Sequence, residues 1–373
     1  MKIVVIGLGS MGKRRIRLIK ELYPEYEIIG VDGREDRRNE ASELFGISCF
    51  ESVEELARPD DSEKTGKIEP TCAFVCTSPL SHAAIISACL QKGWNVFTEI
   101  NLVSDGYDEN LALAKQKNLT LFLSSTFLYR DETRYIKSAV AASPNKKWNY
   151  IYHIGQYLPD WHPWESYKDF FIGDRRTNGC REVMAIEMPW LTAAFGEIEK
   201  VTSLSDKITD LQIDFEDNYM LTIQHENGNK GVLIVDVVSP VAVRKFEAYT
   251  EKSYISWDGT PDSIQEFGAC RKTTDSEQIA DAKTEEPAGM QESESKAEMD
   301  AGMQESESKD WTLHPVILSE KAQHQDGYRA FIIENAYKNE IREFFDVIQN
   351  GKKPIYGFEQ DKKILELVDS VGA

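Results

Sequence analysis

The sequence predicts an α/β domain with a parallel, doubly wound sheet, followed by an α+β domain whose sheet is mostly antiparallel. Two observations lead to this fold class. In residues 1–125, short apolar runs alternate with stretches of helical periodicity, which is the pattern of successive βαβ units. After about residue 142, apolar runs follow one another across turns such as Asn227-Gly228, a pair that favours a tight hairpin. We therefore predict one domain over residues 1–125 and a second over residues 126–373.

The first domain is predicted to contain five strands and four helices. Its first helix repeats apolar residues on one face, at Met11, Ile16, Leu18, Ile19 and Leu22. The predicted strands are 2–6, 27–31, 72–76, 95–98 and 120–123, and the predicted helices are 11–22, 39–45, 81–92 and 107–117. Strands and helices that alternate at these lengths imply a parallel sheet.

The second domain is predicted to consist mainly of hairpins and to end in helices. Its predicted strands are 150–157, 201–204, 219–224, 232–238, 246–249 and 254–257. An amphipathic helix is expected over 328–349, followed by a turn at 351–354 and a short helix from Glu359.

One stretch of the second domain differs from the rest in composition. Residues 271–309 contain no aromatic residue, and their 5 basic and 11 acidic residues give a net charge of −6. The nonapeptide AGMQESESK occurs twice there, at 288–296 and 301–309. With so little apolar surface to bury, this stretch is predicted to be a disordered acidic insertion.

The overall charge excludes some classes of partner. The chain has 43 basic and 63 acidic residues, so its net charge of −20 repels phosphate backbones and anionic lipids. No apolar run approaches the roughly 20 residues that span a bilayer, and the apolar start is too short for a secretory signal. We expect a soluble, cytoplasmic protein with no nucleic-acid or membrane partner. The six cysteines form no C-x-x-C pair and the six histidines show no ligand spacing, so no metal site is predicted.

A glycine-rich turn follows the first predicted strand. Gly7, Gly9 and Gly12 form a G-x-G-x-x-G pattern, and Ser10 and Met11 begin the helix after it. The first glycine permits a tight turn, the second lets backbone approach a pyrophosphate, and the third lets helix and strand pack closely. The helix N-terminus also favours phosphate. The pattern predicts a Rossmann fold that binds NAD(P).

The end of the second strand bears on the choice of cofactor. Asp32 follows Gly12 by 20 residues, where a carboxylate can accept from both ribose hydroxyls and repels a 2′-phosphate. Arg34, Arg37 and Arg38 follow closely and could instead pair with such a phosphate. NAD is the preferred cofactor, with Arg34 included among its predicted contacts, and NADP is the alternative.

Several further segments resemble the Gfo/Idh/MocA family of nicotinamide-dependent oxidoreductases. Besides the glycine turn, they are Thr77-Ser78-Pro79-Leu80-Ser81-His82, Gly93-Trp94-Asn95-Val96-Phe97-Thr98-Glu99, Tyr129-Arg130 and Gly351-Lys352-Lys353-Pro354. The second is similar to the family's G-x-x-V-x-x-E-K-P segment, and the third to its aromatic-Arg element. The match is good over residues 1–130 and looser after residue 150.

The resemblance implies a Rossmann domain and an antiparallel sheet that often forms an oligomer interface. A homo-dimer or homo-tetramer is therefore expected. The residues implied to line the ribose and nicotinamide side of the cofactor are Thr77, Ser78, Pro79, His82 and Glu99. An alternative for His82 is that it only caps the helix that it begins.

Two departures from the family remove its usual proton carriers. In the E-K-P segment, the lysine that contacts the reacting oxygen is replaced by Ile100, and the proline by Asn101. In the family's G-G-x-x-x-D-x-x-x-H signature, Glu182 takes the Asp position and Ile186 the histidine position. The nearest proton carrier to that position is Glu187, one residue out of register.

The segment 157–168 offers replacements, because it combines aromatic residues, a histidine, acids and a lysine. For proton transfer we predict His162, then Glu187, then Tyr167. Tryptophans suit a sugar face, and arginines can hold a carboxylate or phosphate. The predicted substrate-binding residues are Tyr129, Arg130, Trp161, Trp164, Lys168, Arg181 and Glu182. Alternatively, the tryptophans only fill the seam between the domains and the arginines pair with acidic residues.

Three functions follow from these observations. The first is an NAD(P)-dependent oxidoreductase that transfers hydride to or from a sugar or sugar-derived acid, either free or nucleotide-linked. The second is a non-catalytic NAD(H)-binding sensor or assembly protein, which Ile100 and Ile186 favour. The third is a redox-neutral lyase or hydrolase that uses a tightly held NAD transiently.

Overall fold

The structure is a computed structural model that describes residues 1–57, 70–162, 165–267, 313–318 and 333–373. The predicted acidic insertion at 271–309 and the predicted substrate residue Trp164 lie outside the described residues. None of the helices in these ranges is long and apolar enough to cross a membrane.

The first sheet has six parallel strands in the order β3-β2-β1-β4-β5-β6. Its strands are β1 (Lys2–Ile6), β2 (Glu27–Val31), β3 (Ser48–Phe50), β4 (Cys72–Val75), β5 (Asn95–Thr98) and β6 (Leu121–Leu123). The helices between them are α1 (Ser10–Leu22), α2 (Glu35–Phe45), α3 (His82–Gln91) and α4 (Tyr107–Lys117). The predicted parallel sheet is confirmed, and the short edge strand β3 is an addition to it.

The strands of this sheet are apolar on successive residues because both faces are covered. In β1, Ile3 and Val5 pack on the side of α1, whereas Val4 and Ile6 pack on the side of α3. The strand order reverses between β1 and β4, so the carboxyl ends of these two strands flank a crevice.

The second sheet has eight strands in the order β14-β13-β12-β11-β7-β10-β9-β8. They are β7 (Asn149–Gly155), β8 (Ile198–Asp206), β9 (Asn218–His225), β10 (Lys230–Asp236), β11 (Val243–Tyr249), β12 (Tyr254–Trp257), β13 (Gln265–Phe267) and β14 (Leu313–Pro315). Only the pair of β7 and β10 is parallel among the strand pairs of this sheet. The mostly antiparallel sheet is thus confirmed, including the hairpin at Asn227-Gly228, where Gly228 has φ +84°.

Four further helices are described after β6: α5 (Asp131–Ala141), α6 (Gly179–Phe195), α7 (Glu334–Asn350) and α8 (Phe358–Ser370). Helix α6 covers one face of the sheet, where Met184 and Leu191 share a core with Tyr152 and Leu233. The opposite face keeps large apolar side chains exposed.

Helix α7 packs against the first sheet although it lies far along the chain. The ring of Phe344 lies 5.2 Å from that of Phe74, 5.5 Å from that of Phe97 and 5.7 Å from that of Phe122, centroid to centroid. These edge-on aromatic contacts complete the core on the α1 side of the sheet.

Candidate functional site

The glycine turn at the end of β1 has no room for a side chain at Gly7 or at Gly12. Gly7 has φ +92°, and a Cβ on it would lie 2.7 Å from the backbone carbonyl carbon of Cys76. A Cβ on Gly12 would lie 1.9 Å from the carbonyl oxygen of Gly7. Gly9 has no backbone atom within 4 Å of its Cβ position, so no other backbone segment blocks the approach of a ligand there. This arrangement fits a dinucleotide, because Gly9 lets a pyrophosphate approach the backbone next to the N-terminus of α1.

Asp32 is held in place at the end of β2, beside this turn. Its Oδ2 accepts a hydrogen bond from the backbone N–H of Leu8 at 2.8 Å, and its Oδ1 accepts one from the N–H of Arg34 at 2.9 Å. Each carboxylate oxygen still has a second lone pair for a ribose hydroxyl. The structure therefore places Asp32 where the sequence predicts a ribose contact.

The three arginines after Asp32 have different partners. Arg34 pairs with Asp36 through Nη2 at 2.5 Å, and Arg38 donates from Nη1 to the carbonyl oxygen of Asp32 at 2.8 Å. The Nη1 of Arg37 lies 3.7 Å from Oδ2 of Asp32 and 3.6 Å from the Cβ position of Gly9. Arg37 is thus the cation next to the predicted ribose position, in place of Arg34.

His82, predicted to line the cofactor, is buried in this structure. Its Nδ1 lies 2.6 Å from Oδ1 of Asn101, and its Nε2 lies 2.9 Å from the carbonyl oxygen of Thr77. Burial lowers the pKa of the ring. His82 therefore ties the segment after β4 to the segment after β5 from within. Ser78 is exposed beside it and Pro79 is buried.

Glu99 has a structural partner where a cofactor contact was predicted. Its Oε1 accepts from Nε of Arg15 at 2.6 Å and its Oε2 accepts from Nη2 of Arg15 at 3.0 Å. The same guanidinium pairs with Glu340 of α7 at 2.7 Å and lies over the ring of Phe97. This buried network joins α1 and α7 to the residue that follows β5, and the cofactor contact predicted for Glu99 stays a prediction.

Tyr129 and Arg130, predicted as substrate contacts, are both buried in this structure, and that role stays a prediction. The Tyr129 ring lies in the core of the first sheet, where burial raises the pKa of its hydroxyl. The Nε of Arg130 pairs with Glu132 at 3.0 Å, and its guanidinium lies over the ring of Trp257. The Tyr129-Arg130 pair, which resembles the family's aromatic-Arg element, packs inside the fold of this chain.

Arg181, predicted as a substrate contact, donates hydrogen bonds to three other parts of the chain. Its Nε donates to the carbonyl oxygen of Leu102, and its Nη1 pairs with Asp369 at 2.7 Å. The same nitrogen donates to the carbonyl oxygen of Ala373 at 2.6 Å. Arg181 thereby joins the start of α6 to the segment after β5 and to the end of α8.

Glu187, the second candidate predicted for proton transfer, is fully buried in the second domain. Its Oε2 accepts from the hydroxyl of Tyr152 at 2.8 Å and from Nε1 of Trp190 at 2.7 Å. Its Oε1 forms an ion pair with Arg244. With all these donors and no exposed surface, Glu187 is a structural carboxylate.

The remaining residues of the segment 157–168 form their own local contacts. The Nδ1 of His162 lies 2.7 Å from Oε1 of Glu165, and both side chains keep part of their surface exposed. Lys168 donates to the side-chain oxygen of Gln212 at 2.6 Å, and the hydroxyl of Tyr167 accepts from the N–H of Gln212 at 3.3 Å. The indole of Trp161 donates to the carbonyl oxygen of Gln156 at 3.0 Å. Their predicted roles toward a substrate stay predictions.

Glu182 was predicted from the sequence as a substrate contact only, and the structure adds an unusual feature of its carboxyl group. No described residue donates a hydrogen bond to its carboxylate or forms an ion pair with it. Burial alone raises its pKa to about 7. The family signature locates Glu182 in the sequence, but its lack of a partner depends on the packing around α6. Among the described residues, no group of three or more His, Cys, Asp or Glu side chains is arranged to hold a metal ion.

A six-stranded parallel sheet with a glycine turn at its switch point, joined to a mostly antiparallel sheet, defines a two-sheet dinucleotide-binding protein. Residues 1–125 match the family model of Gfo/Idh/MocA, described as an oxidoreductase family with an NAD-binding Rossmann fold. The first domain of the chain is therefore similar to this family. The resemblance predicted from the sequence is thus confirmed.

Individual relatives are distant. Biliverdin reductase A from Homo sapiens is 24% identical over 234 residues, which cover 62% of this chain and 69% of that protein. A levoglucosan dehydrogenase solved in complex with NADH has a TM-score of 0.72 at 14% identity, covering 100% of this chain and 95% of the other. A myo-inositol dehydrogenase from Corynebacterium glutamicum has a TM-score of 0.68 at 15% identity, with the same coverage. At such identities the solved structures show a shared fold.

Proposed function

We propose that this chain is an NAD(P)-dependent oxidoreductase that transfers hydride to or from a sugar or sugar-derived acid. The observation that carries the proposal is the closed glycine turn beside a fixed Asp32 at the switch point of the first sheet. The sugar-type substrate is supported by the fold shared with levoglucosan and myo-inositol dehydrogenases.

The cofactor is proposed to lie along the carboxyl ends of β1, β2, β4 and β5. Gly7, Gly9 and Gly12, with Ser10 and Met11 at the start of α1, would hold the pyrophosphate. Asp32 would accept from the adenosine ribose, and Thr77, Ser78 and Pro79 would border the nicotinamide side. When bound, the nicotinamide supplies the acceptor or donor of hydride. NAD is preferred over NADP, because Asp32 would repel a 2′-phosphate.

The substrate is proposed to bind between this edge and the segment 157–168. Trp161 would offer a flat face to a sugar ring, and Lys168 would offer a cation to an acidic group. His162 and Tyr167 are candidates for contacts to hydroxyl groups. The support for this arrangement is the partly exposed, polar and aromatic character of these side chains.

Binding and turnover are tested separately. Titration calorimetry with NAD, NADH, NADP and NADPH measures the affinity for each cofactor. Absorbance of the reduced nicotinamide then follows turnover with sugars, inositols, sugar acids and nucleotide sugars. Biliverdin is included because a relative carries its name. Turnover of a sugar-type substrate supports the proposal, whereas turnover of biliverdin alone would overturn the substrate class.

A second candidate function is NAD(H) binding without turnover. Ile100 and Ile186 favour it, because neither can carry a proton at the positions where the family has a lysine and a histidine. Tight NADH binding with no oxidation by any substrate of the panel would support this second function against the first.

We also propose that the chain forms a homo-oligomer through the open face of the second sheet. On that face Leu204 is 76% exposed, Met220 48% and Ile151 44%. Leu204 stands opposite Met220, and Met220 stands opposite Ile234, so the apolar side chains are contiguous. Light scattering should show a dimer or tetramer that Leu204→Glu with Met220→Glu dissociates. Leu44→Glu, at an exposed leucine on α2, is the matched control, and a monomeric unmodified chain would refute the proposal.

A further inference from the structure

We propose that Glu182 exchanges the proton with the reacting oxygen of the substrate, in place of the lysine and histidine that the family uses. The inference rests on the proposed oxidoreductase function and identifies a proton carrier for it. The observations are the position of Glu182 on α6, the absence of a partner for its carboxyl group among the described residues, and the commitment of neighbouring charged groups.

The start of α6 is fixed next to the end of β5. The side-chain oxygen of Asn178 accepts from the N–H of Arg181 at 2.8 Å and so caps the helix. Arg181 in turn donates to the carbonyl oxygen of Leu102. A Cβ on Gly179 would meet Leu158 at 3.0 Å, so the first turn also packs tightly against the end of β7. Glu182 therefore lies in the first turn of α6, close to the edge of the first sheet where a dinucleotide is expected.

The helical repeat puts Glu182 outside both cores. At about 100° per residue, Ala185 faces the end of β6, where it packs with Leu102 and Leu123. Met184 faces the core of the second sheet. Glu182 and Ile186 share the remaining face and keep part of their surface exposed. A carboxyl group on this face is accessible to a substrate, whereas Glu187 on the sheet side is not.

Several charged groups on elements that pack near α6 are held by other partners. Arg244 of β11 pairs with Glu187, and Arg181 pairs with Asp369. Further commitments are Arg130 with Glu132, Asp236 with His153, Asp361 with Tyr107 and Tyr356, and Arg134 with the carbonyl oxygen of Leu128. Glu182 is thus left with an apolar surrounding and no compensating cation.

A carboxyl group in this setting can work in both directions at neutral pH. Burial without a partner penalises the charged form, which is why the pKa of Glu182 rises to about 7. Both the acid and the carboxylate are then populated near pH 7, as efficient proton exchange requires. Isoleucine at positions 100 and 186, where the family has its lysine and histidine, offers no competing proton carrier.

The proposed step balances as follows. In the oxidative direction, the substrate carbinol carbon gives a hydride, with two electrons, to the oxidised nicotinamide. The hydroxyl O–H bond breaks, its electrons form the second bond of the carbonyl group, and the proton passes to the Glu182 carboxylate. In the reductive direction, hydride reaches the carbonyl carbon and the protonated Glu182 supplies the hydroxyl proton.

The test compares Glu182→Gln, Glu182→Asp and His162→Ala in the full chain. Glu182→Gln should lower kcat by about 10²–10⁴, as for a missing general acid/base, and leave the NAD affinity within about threefold. Glu182→Asp should recover part of the loss. The unmodified chain should show an ionisation near pH 7 in kcat/KM that His162→Ala retains and Glu182→Gln lacks.

An infrared titration without cofactor gives a second readout. The stretching band of a protonated carboxyl group should disappear with a midpoint near pH 7 and be absent in Glu182→Gln. Full turnover in Glu182→Gln, or a pH profile lost only in His162→Ala, would overturn the role of Glu182 while leaving the proposed function intact. No turnover with any substrate would overturn the proposed function and this role together.

Discussion

Replacing Glu182 with Gln should make the protein more stable at alkaline pH, whatever its substrate is. The change keeps the shape of the side chain and removes its ionisation. Because burial raises the pKa of Glu182 from an ordinary 4.5 to about 7, the folded state holds this proton more tightly than the unfolded chain. A carboxyl group whose pKa is higher in the folded state lowers the free energy of unfolding once the pH exceeds its pKa in the unfolded chain.

The magnitude follows from the size of the shift. Below pH 4.5 both states are protonated and the substitution has no electrostatic effect. Between pH 4.5 and 7 the unmodified chain loses up to about 1.4 kcal/mol of stability per pH unit. Above pH 7 the loss of unfolding free energy is complete. A pKa raised from 4.5 to about 7 makes this loss about 3 kcal/mol. Since Glu182 keeps some exposure to solvent, about 1–3 kcal/mol is expected.

Urea unfolding at pH 5.5, 7 and 8.5 measures this gain. The advantage of Glu182→Gln over the unmodified chain should grow from pH 5.5 to 7 and then level off, with unchanged m-values. Glu366→Gln, at an exposed position of α8, is the control and should show no such trend. An advantage independent of pH, or a loss of stability at pH 8.5, would show that Glu182 is paired and refute the reasoning.

Three other substitutions test the site. Asp32→Ala should weaken NAD binding by about 1–3 kcal/mol in calorimetry, with a smaller loss or a gain for NADP; tighter binding of NADP by the unmodified chain would assign the choice to Arg37. Gly12→Ala should lower both the melting temperature and the NAD affinity, because its Cβ would lie 1.9 Å from the Gly7 oxygen; unchanged values would contradict this packing. Glu187→Gln should cost about 3–5 kcal/mol of unfolding free energy, because it removes the buried carboxylate charge that pairs with Arg244. If that variant is instead stable but inactive, Glu187 is catalytic as the sequence suggested.

Local patterns were sufficient to predict much of the first domain. Strand β2, strand β5 and helix α4 have the predicted bounds, because apolar periodicity and helix ends are set by neighbouring residues. The glycine turn and Asp32 were also predictable, since backbone sterics restrict which residues can form such a turn. The hairpin at Asn227-Gly228 was predictable for the same reason, because the two turn residues themselves favour it.

Which polar groups are free for chemistry was decided by the tertiary structure alone. Glu182 and Glu187 lie five residues apart in sequence and look equivalent there, yet Glu187 meets Arg244, 57 residues away, and Glu182 meets no described partner. In the same way, Glu99 is bound by Arg15 and joined to Glu340 of α7. The charge state of a carboxyl group depends on the cations and solvent around it, and chain folding brings those together from distant positions.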